Sequence, residues 1–233
     1  ELFFPERRQF FLENIDLFGL YGFPDTSPFF SRRIGLAFDP TLGQNVPVPI
    51  LAGARLSGKL NQDWRVGLLN MQTKHVDFGG GQELPAANFA VATVQRRVFQ
   101  RSVLGGFVVN KQNFLDDLPE SVREGYQAYN RVAGLEFNYY SPDNKWETET
   151  YLHRSFGPEQ GPDANSFAHF TGFNSRNWGL WGAYQYIGKD FEAEAGFVPR
   201  PGVQKIFARP SYTLFPGGRV NAVSLGVESD FVF

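Results

Sequence analysis

The sequence predicts an all-β protein, and specifically an antiparallel transmembrane β-barrel, on three observations. From about Pro28 to Phe233, strand-like stretches of alternating side chains are separated by turn signals. Tight turns alternate with longer loops, as they do when successive hairpins of an outer-membrane barrel close on opposite sides of the bilayer. Most of the stretches are nine to thirteen residues long, which is enough for a tilted strand to cross a membrane, since such a strand needs about 9–11 residues.

A charged segment precedes the first predicted strand. Pro5 stands at a helix-start position, and apolar residues then recur at helical spacing as far as Gly19. This pattern predicts one short amphipathic helix. We therefore expect residues 1–26 to form a linker or helical plug-like segment and residues 27–233 to form the barrel.

The predicted strands follow one another along the rest of the chain, about twelve in number with boundaries uncertain by a few residues. Their expected ranges are 28–37, 48–60, 64–73, 87–99, 103–111, 129–140, 145–156, 166–173, 177–187, 190–198, 203–215 and 219–233. Tight turns are expected at 61–63, 100–102, 141–144, 174–176 and 199–202. Longer loops are expected at 38–47, 74–86, 112–128 and 157–165.

The hairpin around residue 142 shows the alternation most clearly. In its first strand Leu135 and Phe137 share one face, while Glu136 and Asn138 share the other, because successive side chains of a strand point to opposite faces. The turn that follows contains Ser, Pro, Asp and Asn, which favour chain reversal. The charged face of the return strand carries Lys145, Glu147, Glu149 and His153.

Composition excludes several classes of protein. No apolar run approaches the eighteen or so residues of a helical membrane span. The net charge of −2 argues against nucleic-acid binding. The absence of cysteine excludes disulfide frameworks and thiolate metal sites. The three histidines have no paired ligand spacing, so the sequence predicts no metal site and no cofactor.

One stretch has the spacing of a phosphate-binding loop. It runs from Gly53 to Lys59, but Leu60 stands where that loop needs Ser or Thr, and no helix is predicted after it. We expect a barrel strand there.

Alternation alone does not tell which solvent meets the apolar face. A closed barrel of about twelve strands has a lumen too wide for side chains to fill, so an inward apolar face would stay wet, whereas an outward one meets lipid. Aromatic rings near strand ends, of the kind that collect at membrane interfaces, favour the outward orientation. A soluble all-β fold is the alternative.

Candidate functional residues fall in two groups. They are Glu6, Arg7, Arg8, Glu13, Asp16, Arg32 and Arg33 near the amino end, and Glu147, Glu149 and His153 in the return strand. Arginine pairs beside acids predict a network that holds the helix against the barrel wall and narrows a pore; a solvated helix face is the alternative. For the second group we expect ordinary pore lining, with acid–base catalysis by the paired glutamates as the alternative.

Several segments also resemble a known family. They are the runs 3–18, 29–35, 49–59 and 67–73, together with Asn88-Phe-Ala-Val. These runs resemble a Gram-negative, Bacteroidota-like family of outer-membrane proteins of uncharacterised function, with Gln9 where members usually carry Pro. Its members look like a carbohydrate-binding domain similar to family nine modules, joined to a carboxy-terminal membrane barrel. The resemblance implies that the carbohydrate-binding domain is missing here and that the barrel is longer than this chain.

The sequence therefore predicts a protein of the Gram-negative outer membrane, in contact with its lipid. Its expected role is porin-like solute passage or the handling of surface glycans, with carbohydrate bound through the missing upstream domain. Two other roles remain open at this stage: a hydrolase of carbohydrate or lipid housed in the barrel, and a structural subunit of an outer-membrane complex.

Overall fold

The computed structural model describes residues 8–19, 21–22 and 26–233, and in that part of the chain the predicted all-β antiparallel class is confirmed. Helix is confined to short pieces. These are α1 (Gln9–Leu12), α2 (Ile15–Gly19), a 3₁₀ turn (Ser31–Arg33) and α3 (Glu120–Arg123). In the described ranges no helix is both long enough and apolar enough to traverse a membrane.

Within the described residues, fifteen strands make up the rest of the regular structure. They are β1 (Leu36–Asp39), β2 (Gln44–Pro47), β3 (Ile50–Lys59), β4 (Trp64–Thr73), β5 (Val76–Gly79), β6 (Gln82–Leu84), β7 (Ala86–Val98), β8 (Ser102–Phe114), β9 (Tyr129–Tyr140), β10 (Trp146–Phe156), β11 (Asn165–Asn174), β12 (Trp178–Ile187), β13 (Val203–Leu214), β14 (Val223–Gly226) and β15 (Ser229–Val232).

Eleven of these strands form one large antiparallel sheet. Its order is β3-β4-β7-β8-β9-β10-β11-β12-β13-β14, and β15 pairs with β13 beside β14. The pairs β1-β2 and β5-β6 are separate hairpins. Over the residues that the structure describes, β3 does not pair with β14 or β15, so the sheet is open and does not close into a ring.

The connections of the large sheet differ between its two edges. At one edge, called the turn edge, the links are 60–63, 99–101, 141–145, 175–177 and 215–222. At the other, called the loop edge, the links are 74–85, 115–128, 157–164 and 188–202. The predicted alternation of short and long connections is therefore present in the fold.

The two faces of the sheet have different neighbours. The inner face is the one covered by the described part of residues 8–35, which we call the N-terminal segment. On it, Leu17 and Phe18 of α2 pack against Gly67 and Thr93. A single apolar cluster joins this segment to β4, β7, β8, β9, β12 and β13. The opposite, outer face is not covered by any described residue of the chain.

The predicted loops 38–47 and 74–86 contain strands, namely β2 with the end of β1 in the first and β5 and β6 in the second. Four predicted helices and strands also differ from the observed ones. The single helix is two short helices separated at Asn14, whose φ of 50° lies in the left-handed region. Residues 28–37 contain the 3₁₀ turn and only the start of β1. Residues 219–233 form two short strands in place of one. The predicted strand 190–198 is wrong, because this stretch is a loop with one isolated bridge, between Phe197 and Ser27.

The loop 190–198 alternates for a different reason. Phe191, Ala193 and Ala195 are buried on the inner face, while the glutamates between them bind polar groups. Glu194 pairs with Lys111 of β8 at 2.6 Å, and the Glu192 backbone N–H donates to Ser155 Oγ at 3.1 Å. The side chains of this loop therefore alternate because the loop packs on a face of the sheet, although it has no partner strand.

Candidate functional site

Two arginines from the sheet hold the first helices on the inner face. Arg55 of β3 donates to the carbonyl oxygens of Phe10 and Glu13 and pairs with the Glu13 carboxylate. Arg65 of β4 pairs with Asp16 at 2.6 Å. Glu13 and Asp16 were predicted to hold the helix against a barrel wall. In the structure they contact the large sheet, through arginines that were not among the predicted site residues.

Two of the predicted arginines, Arg8 and Arg33, contact backbone groups. Arg8 donates to the carbonyl oxygens of Ile34 at 2.7 Å and Ser31 at 2.8 Å, and its guanidinium lies over the Phe11 ring. Arg33 donates to the Gly196 carbonyl at 2.9 Å. These bonds fold the N-terminal segment on itself and tie it to loop 188–202. Arg32 lies beside Arg33 in the 3₁₀ turn, and Glu6 and Arg7 lie outside the described residues.

A buried polar cluster lies where the N-terminal segment crosses the centre of the sheet. Glu136 of β9 is only 4% exposed. Its Oε1 accepts the backbone N–H of Gly22 at 2.6 Å and lies 2.9 Å from His153 Nε2. Buried carboxylates need such partners, because an unpaired one loses its hydration without compensation.

His153 is packed so tightly that no ligand reaches it. Its exposed fraction is zero, and its ring stacks on Tyr151 at 4.4 Å and meets the Phe107 ring edge-on at 4.9 Å. Its Nδ1 has no hydrogen-bond partner among the described residues. Alternation in the sequence placed His153 correctly on the polar face of its strand. In the structure this side chain packs beneath the N-terminal segment and has a structural role.

A second set of hydrogen bonds extends this cluster. The Tyr151 hydroxyl accepts from Gln185 Nε2 at 2.8 Å and lies 2.9 Å from Thr26 Oγ1. The Tyr21 hydroxyl is hydrogen-bonded to Thr93. Tyr21, Gly22 and Thr26 therefore contact β7, β9 and β10. The tyrosines and Glu136 were not singled out by the sequence.

Glu147 and Glu149 share the inner face, as predicted from their spacing. Both border a cavity of about 520 Å³ that lies near the turn edge, between β9 and β13. Glu149 is half-buried and Glu147 is exposed. His153 does not border this cavity, so the three predicted residues of this hairpin do not form one site. Gln185 does border it and links it to the buried polar cluster through the Tyr151 hydroxyl.

The middle of the outer face is apolar. One continuous row of paired residues crosses six neighbouring strands, and we call it the apolar belt. Its members are Val66, Val94, Gly106, Leu135, Leu152 and Phe167. Leu135 is 62% exposed and Leu152 is 56% exposed, although both lie at the centre of long strands.

Aromatic side chains flank the apolar belt on the turn edge. This aromatic row consists of Trp64, Tyr139, Trp146, Phe173, Trp178 and Tyr212, all at or near strand ends. Within it, the rings of Trp146 and Phe173 are 4.7 Å apart and those of Trp178 and Tyr212 are 4.6 Å apart.

Polar side chains flank the apolar belt on the loop edge. This polar row consists of Asn70, Asn88, Asn110, Arg131, Arg154 and Asn165. Its members bond to one another, for example Arg131 to Asn110 at 2.9 Å and Arg154 to Asn165 at 3.1 Å. The outer face also carries polar side chains between the apolar belt and the aromatic row. Among them are Thr150 and His169, which are hydrogen-bonded to each other at 2.8 Å.

Comparison of the chain with protein-family models, with curated proteins and with solved structures gives no match. Function therefore has to be argued from the two faces of the sheet and from the groups that lie on them.

Proposed function

We propose that the large sheet is part of the wall of an outer-membrane β-barrel, with lipid on its outer face and the N-terminal segment in its lumen. The observation that carries this proposal is the banding of the outer face into aromatic row, apolar belt and polar row. Membrane barrels have an apolar band bordered by interfacial aromatic residues. A soluble protein rarely exposes an apolar surface of this extent.

The spacing of the bands fits a bilayer. Tyr139 of the aromatic row and Arg131 of the polar row lie eight residues apart on β9. At roughly 3.4 Å per residue this is about 27 Å along the strand. The apolar band of a membrane barrel is about 25 Å tall, which is the same order once strand tilt is considered.

The open edges of the sheet fit a wall that is longer than the described strands. β3 and the β14–β15 pair have no partner on their outer sides among the described residues. Exposed backbone N–H and C=O groups cannot face hydrocarbon, so a wall in lipid requires further strands to close it. The family that the sequence resembles also implies a longer barrel.

Passage or binding of solutes is the role we propose for the inner face. Through the apolar cluster the N-terminal segment contacts β4, β7, β8, β9, β12 and β13, whereas the inner face of β10 to β13 near the turn edge keeps a cavity with charged lining. A segment held by ion pairs and a few buried hydrogen bonds is suited to narrowing a pore without filling it. The buried His153 and Glu136 give no support to a hydrolase at that position.

Depth-dependent fluorescence quenching tests the membrane assignment. The protein is reconstituted in vesicles whose lipids carry bromine at defined depths. We expect Trp146 and Trp178, studied in variants that keep one tryptophan at a time, to be quenched most by bromine close to the headgroups. Quenching at no depth would contradict insertion.

Single-channel recording tests passage separately. We expect a small conductance for the reconstituted protein and a larger one after deletion of residues 1–26. The double variant Arg55→Ala with Arg65→Ala provides a second test, because it loosens the segment without shortening the chain. If both altered proteins insert and conduct no more than the wild type, the proposed pore role is wrong.

A further inference from the structure

The cavity near the turn edge opens on the inner face and combines aromatic rings with charged groups. It lies beyond the N-terminal segment, and its volume of about 520 Å³ is within the usual range for small-molecule sites. Its lining includes Glu147, Glu149, Phe170, Trp181, Lys205 and Phe207. These residues come from four strands that are joined by backbone ladders, so the site is built on a rigid part of the fold.

Small residues create the hollow. Gly172 of β11 pairs with both Glu147 and Trp181, and Ala183 of β12 lies between Phe170 and Phe207. A Cβ atom on Gly172 would lie 2.9 Å from the Trp181 ring and 3.0 Å from Glu147 Cγ. The Trp181 ring therefore lies over the glycine, directly beside the Glu147 side chain.

The charges of the lining are unbalanced. Three carboxylates, from Glu147, Glu149 and Asp230, border the cavity with one amine, from Lys205. Within the described part of the chain, the side-chain carboxylates of Glu147 and Glu149 have neither a hydrogen bond nor a salt bridge. A half-buried carboxylate such as that of Glu149 loses hydration, and a bound cation would restore the lost stabilisation.

We propose that this cavity binds an organic cation with an apolar body, whose ammonium group lies between Glu147 and Glu149 and whose body lies over Trp181 and Phe170. Ammonium groups are attracted both to carboxylates and to the faces of aromatic rings. An anion is repelled by the lining. A neutral polyol gains less than a cation beside two carboxylates, because it brings no opposite charge, although the Asn138 amide that also borders the cavity can donate to a hydroxyl.

This inference names the class of solute for the proposed pore. It rests on the proposed function in one respect, which is that water must reach the inner face of the sheet. Binding is therefore measured by calorimetry on detergent-purified protein, which needs neither insertion nor conductance. The probes are cyclohexylammonium, the neutral cyclohexanol and the anionic cyclohexanecarboxylate, which share one apolar body. Glucose is the fourth probe, because it distinguishes a sugar site.

We expect cyclohexylammonium to bind at least about tenfold more tightly than the other three probes. Glu147→Gln with Glu149→Gln should weaken this binding at least about tenfold, and Trp181→Leu should weaken it about two- to fivefold. Glu120→Gln with Glu124→Gln is the matched control. It removes the same charge from exposed residues at α3 on the loop edge, and it should leave binding unchanged.

A second measurement does not depend on any variant. Raising the salt concentration should weaken cyclohexylammonium binding to the wild-type protein and leave cyclohexanol unaffected, because salt screens charge–charge attraction. Equal affinity for cyclohexylammonium and cyclohexanol, or tighter binding of glucose, would overturn the proposal. So would an unchanged affinity in the folded Glu147→Gln, Glu149→Gln protein.

Discussion

The backbone N–H of Gly22 donates a hydrogen bond to Glu136 Oε1 at 2.6 Å, across a sequence separation of 114 residues. Both groups are buried at the centre of the sheet. The same oxygen lies 2.9 Å from His153 Nε2, so one carboxylate joins the N-terminal segment to β9 and β10. This contact is a buried polar attachment of the segment to the proposed barrel wall.

Replacing Glu136 should release the segment. Glu136→Leu leaves the Gly22 N–H and the His153 ring without their acceptor, and each buried group left unpaired costs about 1–3 kcal/mol. We expect faster hydrogen exchange at the Gly22 amide and a free energy of unfolding lower by about 2–4 kcal/mol. Glu136→Gln keeps an acceptor oxygen and should show a smaller loss.

Asn138→Leu is the control for this substitution, because Asn138 lies on the same strand and face, next to the turn-edge cavity. It should not alter exchange at Gly22. If the Gly22 amide exchanges its hydrogen at the wild-type rate in both Glu136→Leu and Asn138→Leu, then Glu136 does not hold the segment.

Arg55 should matter more than Arg65 for the first helix. The Arg55 side chain is 10% exposed, bonds to Phe10 and Glu13, and lies over the Phe10 ring, whereas the Arg65 side chain is 30% exposed. Hydrogen bonds to charged groups contribute about 1.5–3 kcal/mol, but partly exposed ion pairs contribute about 1 kcal/mol or less. Limited proteolysis within residues 8–14 should therefore accelerate more in Arg55→Ala than in Arg65→Ala. The reverse order would show that the α2 pair is the main anchor.

Gly134 is a position where any side chain collides with the buried cluster. A Cβ atom there would lie 2.4 Å from His153 Cδ2 and 2.8 Å from the Phe107 ring, and neither ring has space to move. We expect Gly134→Ala to lower the free energy of unfolding by about 1–3 kcal/mol, the usual cost of overpacking.

Gly58→Ala is the matched control, because Gly58 also lies in a strand and has no atom within 4 Å of the added Cβ. Alanine reduces the conformational freedom of the unfolded chain, so this variant should be neutral or more stable by up to about 1 kcal/mol. Equal denaturation midpoints for the two variants would contradict the packing described around His153.

The turn between β9 and β10 should lose stability in acid. The Ser141 hydroxyl, followed by Lys145, lowers the pKa of Asp143 from 3.8 to about 2. Because the folded-state pKa is the lower one, the contribution of Asp143 is fully present above about pH 4 and disappears as the pH falls towards 2. Wild type and Asp143→Asn should therefore differ in stability at pH 6 and converge near pH 2. A difference that stays constant over this range would rule out the ionised carboxylate as its source.

The long strands could be predicted from sequence because their alternation is local. The range predicted for β4, 64–73, and that for β9, 129–140, agree with the structure. The stretch 190–198 alternates equally well, yet it has no strand partner. Its apolar residues Phe191, Ala193 and Ala195 pack on the inner face, and a single sequence does not reveal whether a partner strand exists.

The candidate site was predicted only in part, for a similar reason. Glu147 and Glu149 were placed on one face by their spacing, and Asp16 was expected to contact the wall. Glu136 was missed, because its role depends on Gly22, which is distant in sequence. The signal that could have indicated it was an isolated glutamate on the polar face of β9. It lies opposite Tyr151 and diagonal to His153 on the neighbouring strand.

The central claim is that the outer face meets lipid, and a pair of arginine substitutions tests it most directly. Leu135 in the apolar belt and Leu42 in the turn between β1 and β2 are both 62% exposed in the isolated chain. If the outer face met water, arginine would be tolerated equally at both positions, since exposed surface substitutions usually change stability by less than about 0.5 kcal/mol.

In lipid the two positions should differ. The measurement is the free energy of unfolding of the protein reconstituted in lipid vesicles, for Leu135→Arg and Leu42→Arg against wild type. The account predicts a loss of about 2–4 kcal/mol for Leu135→Arg, the cost of arginine near the bilayer midplane, and almost none for Leu42→Arg. Equal and small losses for the two variants would contradict a membrane-facing outer surface.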